Sequence, residues 1–129
     1  MADDRRRKLG EMGERMAEGH LVERGYEIVT RNARTRFGEL DLIAVDARCL
    51  VFCEVKTRVA GGHSGPATAL EAIGPRKQRR LKRLARDWLS EHRVGADRPG
   101  REELRFDAIG VTVDAGGTLV AIEHLEGAF

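Results

Sequence analysis

The runs Gly38-Glu39-Leu40-Asp41-Leu42-Ile43-Ala44 and Val51-Phe52-Cys53-Glu54-Val55-Lys56 set the tightest limit on how this chain can fold. Both are apolar runs of strand length, and both carry charges that an apolar setting does not tolerate unpaired. Residues two apart share a strand face, so Glu39 and Asp41 point together, as do Glu54 and Lys56. Asp46-Ala47-Arg48 closes the two into an antiparallel hairpin. Pairing Val45 with Leu50 also pairs Ile43 with Phe52, Asp41 with Glu54 and Glu39 with Lys56, and a one-residue slip would turn every side chain to the other face. Three carboxylates and one ammonium then converge on one patch. Facing carboxylates raise one another's pKa until a cation neutralises them, and a divalent metal is the natural cation. If Asp41 and Glu54 stand unpaired, Glu54→Gln leaves the chain at least as stable as its metal-free parent. A salt bridge from Glu54 to a cation predicts the reverse.

The bland alternative is a solvated ion cluster at a sheet edge, where each pair contributes about 0–1 kcal/mol. The apolar residues on both faces of each strand favour a functional site instead.

With 129 residues the chain is expected to form one domain with a full core. Charged residues make up 34% but the net charge is only +2, so the distribution of charge says more than its sum. Aromatics at 5% are too few for a platform that stacks successive bases. Cys49 and Cys53 lie four residues apart on one strand, at about 3.3 Å per residue. That is beyond the roughly 4.4–6.8 Å a disulfide spans, so they are small core residues on the face opposite Glu54 and Lys56. With no disulfide framework, signal peptide or membrane-length apolar run, the expected location is cytoplasmic.

Along the chain, residues 5–24 carry an amphipathic helix pattern with Leu9, Met12, Gly13, Met16, Ala17, His20 and Leu21 on one stripe and Glu14 beside it. A short strand is expected at 26–30 and the hairpin at 37–58. A glycine-rich loop follows at 59–66, then a helical turn around 67–73. A second helix opens at Pro75 and runs to about His92, with Leu81, Leu84, Ala85, Trp88 and Leu89 on its core stripe. A loop at 95–100 leads to strands at 104–113 and 119–124. The order is α-β-β-β-α-β-β, with the third and fourth strands parallel across the helix.

The second helix carries Arg76, Lys77, Arg79, Arg80, Lys82, Arg83 and Arg86 with no acid before Asp87. Some of these solvate a helix face, but the run is a field that attracts phosphates. Lys77 shares the inward row with Leu81, Leu84 and Trp88, which aims it at the acidic patch. Arg5-Arg6-Arg7-Lys8 forms a second cluster, which reads as a disordered basic tail over 1–8. The histidines show no metal-ligand spacing. His20 reads as packed, and His63 lies in the loop after Lys56, within reach of a substrate. No Walker loop, nucleophile elbow or zinc pattern is present.

An acid, then Glu-x-Lys on the next strand, then a helix resembles the PD-(D/E)xK core of restriction-endonuclease-like nucleases, although Glu39-Leu40 replaces the proline before Asp41. Over nearly its full length the chain resembles the YraN-like family of small bacterial proteins, related to archaeal Holliday junction resolvases. The resemblance rests on Gly13-Glu14, Arg31-Asn32, Gly38 to Ile43, Phe52 to Arg58, Lys77 and Arg105-Phe106-Asp107. It implies an α/β fold with a central mixed five-stranded sheet flanked by helices. It also implies metal-binding acids at Glu14, Asp41 and Glu54 and a catalytic lysine at Lys56.

By this reading Asp41 and Glu54 would hold Mg²⁺ or Mn²⁺, with Glu14 in support. Lys56 would orient the attacking water, and Glu39 would hold Lys56 in place. Arg58, Lys77, Arg79, Arg80 and Arg83 would grip the nucleic-acid backbone without reading sequence. The expected partner is nucleic acid, DNA before RNA, and branched forms are included. No membrane is expected, and related resolvases act as dimers. Two rivals stay open: a nucleic-acid-binding module that does not cleave, and an interaction protein with a structural ion cluster.

Overall fold

A computed structural model of the chain describes residues 2–61, 73–92 and 103–129. The elements are α1 (Ala2–Glu23), β1 (Glu27–Thr35), β2 (Gly38–Val45), β3 (Cys49–Val59), α2 (Pro75–His92), β4 (Glu103–Val113) and β5 (Leu119–Leu125). This is the expected order. The strands form one mixed sheet in the order β1-β2-β3-β4-β5. Only β3 and β4 run parallel.

β3 is buried from Cys49 to Val55, as an apolar strand covered on both faces must be. On one face Leu42, Ala44, Val51, Cys53, Val55 and Ile109 pack with Ala17 and Leu21 of α1. On the other, Ile43, Val45, Leu50, Phe52 and Ala108 pack with Leu81, Leu84, Ala85 and Trp88 of α2. Both cysteines are free and buried, on the α1 face as expected. The hairpin turn is closed by Asp46, whose Oδ1 accepts the N–H groups of Arg48 (2.8 Å) and Cys49 (2.7 Å).

Two segments differ from the sequence reading. α1 begins at Ala2, so the basic run at 5–8 lies inside the helix rather than in a tail, with Asp4 paired to Arg7 and Lys8 one turn on. β1 continues beyond Thr30 to Thr35 through polar residues that have no strand signature. A register shift near Val29 bends it, and Asn32 takes a φ of 48°, a left-handed conformation that asparagine tolerates better than most residues. The expectations for His63 and for the loop at 95–100 fall outside the described residues, as does the turn at 67–73 except for the buried Ile73. Among the described residues no helix is long and apolar enough to cross a membrane.

Gly13 sets the approach of α1 to the sheet. A Cβ there would collide with the Thr57 hydroxyl of β3, so only glycine lets the helix cross this close. The crossing brings Glu14 to the end of the sheet where Asp41 and Glu54 lie.

Candidate functional site

The β2–β3 ladder pairs Val45 with Leu50, Ala44 with Val51, Ile43 with Phe52 and Leu42 with Cys53, and ends there. This is the expected register. One step further, Asp41 meets Glu54, and Asp41 Oδ2 accepts the Val55 N–H at 2.9 Å, so a side chain takes over where backbone pairing stops. The Glu54 side chain is only 9% exposed. Burial, then the charge of Glu54, pushes the Asp41 carboxyl up to about 7. Glu14 and a hydrogen bond between the two carboxyl groups add to the rise, and the Val55 N–H opposes it. The Asp41 carboxyl therefore keeps its proton up to near neutrality.

Lys77 enters from the first turn of α2 and places Nζ 2.6 Å from Glu54 Oε1. Burial works against its charge, but Glu54 outweighs it and raises the Lys77 pKa. Lys56 lies at the exposed rim. The neighbouring Lys77, with partial desolvation, lowers its pKa against the pull of Glu54 and Asp41. Lys56 therefore releases a proton more readily than a free lysine, which suits a residue that handles water at a phosphate.

The β2–β3 ladder ends before Glu39 and Lys56 would pair. With the hairpin ladder ended, β2 stays paired to β1, and Glu39 lies opposite Arg34, with 3.7 Å between Oε2 and Arg34 Nε. In the amide orientation that satisfies both its ends, Asn32 donates to Glu39 Oε1 (2.7 Å) and Glu14 Oε2 (3.3 Å). Burial, then Glu39, Glu11 and Glu54, raises the pKa of Glu14. The acids thus form two groups, Asp41 with Glu54 and Glu14 with Glu39, joined electrostatically.

The donor set bears on the metal. Among the described residues no group of three His, Cys, Asp or Glu side chains is placed to hold an ion, so Glu14 does not complete a three-carboxylate cage. A pair of carboxylates short of positive charge still fits Mg²⁺ or Mn²⁺, which keep several waters and take further oxygens from a phosphate. The Lys77 ammonium on Glu54 would have to yield part of that place.

Arg79, Arg80 and Arg83 are exposed along the basic side of α2, and Arg80 reaches the β1–β2 turn at Gly38. Arg58 is exposed on β3 and its Nε donates to Thr112 Oγ1 at 3.2 Å.

One cluster went unread in the sequence beyond the bare motif Arg105-Phe106-Asp107. Asp107, wholly buried at mid-β4, accepts from Arg105 Nε (2.8 Å) and Nη2 (2.9 Å), from the Gly127 N–H (3.0 Å), and meets His124 Nε2 at 2.7 Å. His124 Nδ1 lies 3.1 Å from His20 Nε2, and Arg105 also holds the Tyr26 hydroxyl. The available signal was a lone acid inside an otherwise apolar strand.

Residues 13–111 match the uncharacterised protein family UPF0102. The chain is 47% identical to a UPF0102 protein of Frankia casuarinae over 94% of its own length and 95% of that protein's. It is 43% identical to one from Kineococcus radiotolerans over 92% and 91% of the two lengths. A third, from Anaeromyxobacter dehalogenans, is 42% identical over 98% and 87%.

Proposed function

From the premise that this chain belongs to the uncharacterised protein family UPF0102, the YraN family, we propose that it is a metal-dependent phosphodiesterase acting on nucleic acid, with DNA as its first substrate. The observation that carries this reading is the Asp41–Glu54 pair, with Glu54 buried and Asp41 half-buried. It is short of compensating charge, with Lys56 on its rim and the arginine row of α2 leading up to it. Asp41 and Glu54 would hold Mg²⁺ or Mn²⁺, which when bound would draw charge from the phosphate and lower the pKa of a water. Lys56 would orient the attacking water and stabilise the developing negative charge. Arg58, Arg79, Arg80 and Arg83 neutralise flanking phosphates, and Lys77, released from Glu54, turns to the scissile one. Branched DNA belongs among the substrates because the grip is on backbone rather than bases.

A non-cleaving nucleic-acid-binding module is the second reading. It is favoured by one observation, the Lys77–Glu54 pair at 2.6 Å, which already supplies a cation to half of the acid pair. The two separate in one experiment. Branched, flapped and single-stranded DNA are incubated with Mg²⁺ or Mn²⁺ and the parent, Glu54→Ala or Asp41→Ala protein. Cleavage that needs the metal and vanishes in both variants supports the enzyme. Cleavage indifferent to both substitutions would refute the assignment of the site. Binding without cleavage under every condition would leave the module.

A further inference from the structure

The turn between β1 and β2 carries Phe37, a large apolar side chain left 42% exposed. It lies in an open groove of ≈ 510 Å³ whose other walls are Arg79, Arg80, Lys82, Arg83 and Arg86 of α2. The Arg83 guanidinium lies 5.6 Å from the Phe37 ring centroid and that of Arg36 lies 4.9 Å away. Gly38, next to Phe37, has a φ of +142°, and a Cβ there would come within 2.8 Å of Arg80 Nη2. The turn is thus shaped so that α2 can seat a guanidinium against its backbone. On the same helix Asp87 Oδ1 lies 3.9 Å from Arg36 Nε, while its buried Oδ2 has no hydrogen-bond partner among the described residues.

We propose that this groove is a binding site for one unstacked nucleobase and its flanking phosphates, with the base stacked on Phe37 and the phosphates held by Arg79, Arg80 and Arg83. This rests on the nucleic-acid reading above and adds to it the form of substrate the protein selects. The chemistry is specific in two ways. Guanidiniums present fixed forks that match phosphate oxygens, and four of the five cations lining the groove are arginines. An aromatic ring in solvent amid those cations offers what every base shares, a π-face, and stacking on it tolerates any sequence. Arg83 lies near the outer limit of a cation–π contact, so when it turns to a phosphate the ring face it covers opens to the base. One ring serves one base, which accords with a chain too poor in aromatics to stack a run of them.

The groove and the acid pair both border α2. Lys77 touches Glu54 and Arg83 touches Phe37, six residues apart, which is about 9 Å of helix rise. The protein therefore selects nucleic acid with an unpaired nucleotide close to the phosphate presented to Asp41 and Glu54.

The test uses the full chain, without divalent metal, and two duplex probes of equal length. In one, a fluorescent aminopurine is fully paired, and in the other it is unpaired at a bulge. The parent protein is expected to bind the bulged probe roughly five- to a hundredfold more tightly and to quench its emission. Phe37→Ala should lose both the preference and the quenching while still binding the paired probe, and Phe37→Trp should keep both. Phe37 is exposed, so a melting curve confirms that these variants fold. Equal binding of both probes with unchanged emission, or a Phe37→Ala protein identical to the parent, overturns the base site and leaves the phosphate-gripping reading intact. If neither probe binds, the functional reading falls with it. If polyglutamate competes as well as the bulged probe, the groove is a general polyanion surface and the proposal is wrong.

Discussion

Two acids on β2 and β4, the strands that flank β3, have opposite fates. Asp107 sits at mid-β4 with every oxygen engaged: Arg105 on both, the Gly127 N–H on one and His124 on the other. Burial alone would raise its pKa, but those partners overcome burial and lower it. Asp41 has the Val55 N–H and a second carboxyl for company, and its pKa climbs to about 7. The residue type and the sheet are the same, and the supply of positive charge differs. A fully partnered acid is locked and holds the fold together. An acid left short of cations is an affinity waiting for one, and this is where a metal ion or a phosphate-bound cation gains most.

The comparison breaks most visibly at Asp107. Asp107→Ala strands the Arg105 guanidinium and His124 in a buried network, and removing one partner of such a network costs about 3–5 kcal/mol. Asp41→Ala removes a repulsion along with the hydrogen bonds to the Val55 N–H and the Glu54 carboxyl, so urea denaturation should place it far nearer the parent. Equal losses in the two variants would mean that the acid pair is as structural as the β4 network.

A smaller effect sharpens the picture at Glu54. The expectation that Glu54→Gln is harmless required an unpaired Glu54, and the Lys77 contact removes that premise. Glutamine keeps the shape but leaves a half-buried ammonium without its counter-charge. The variant should lose about 1.5–3 kcal/mol, the value of a hydrogen bond to a charged group, partly offset by relief of Asp41. The double variant Glu54→Gln with Lys77→Met should recover most of that loss. If Glu54→Gln melts with or above the parent, the lysine is not compensating the acid, and the pair is more exposed electrically than drawn here.

The hairpin, its register and the parallel β3–β4 pair were legible because period-2 patterning in buried strands leaves one arrangement that keeps apolar residues inside. Lys77 was legible too, since its spacing from Leu81, Leu84 and Trp88 aims it inward. What the pattern does not encode is where a ladder stops. Carrying the register past Leu42–Cys53 assigned Glu39 to Lys56, whereas β2 there follows β1 and gives Glu39 to Arg34 and Asn32. The second half of β1 was missed for a related reason, because Arg31 to Thr35 is polar and partly exposed except for the buried Ala33, and one apolar residue gives no strand pattern. Asp107 was missed although the rule that exposed Asp41 and Glu54 applies to it equally. Its partners His124 and Gly127 are distant in sequence, and only the fold assembles them around it. Phe37 gave no signal in the sequence, since an aromatic in a turn gains meaning only from the α2 arginines packed across from it.

The smallest effect is a change of slope with pH, and it compares the two acids most directly. In the unfolded chain Asp41 ionises near 3.8, and in the folded chain near about 7. At low pH both states hold the proton and the site carries no penalty. As pH rises past the unfolded value, the unfolded state ionises first, so stability falls until the folded carboxyl also ionises around 7 and then levels off. Asp107 has the opposite sign: its folded pKa is lowered, so its contribution is complete above the unfolded value and is lost as pH falls through the folded one. Asp41→Asn isolates the first term, because asparagine keeps an oxygen for the Val55 N–H and removes the titration. Parent and variant should match at about pH 4, and the variant should be the more stable by about 1–3 kcal/mol at about pH 8. Glu54, Glu14, Lys56 and Lys77 all face this group, and their charges are common to both proteins. Mn²⁺ should close the gap at about pH 8, since an ion on the ionised pair supplies the missing charge and binds the folded state alone. It should do much less at about pH 5, where a proton already occupies the pair. Parallel stability curves for parent and variant would mean that Lys56 and Lys77 fully compensate Asp41, and that nothing in its charge balance asks for a metal.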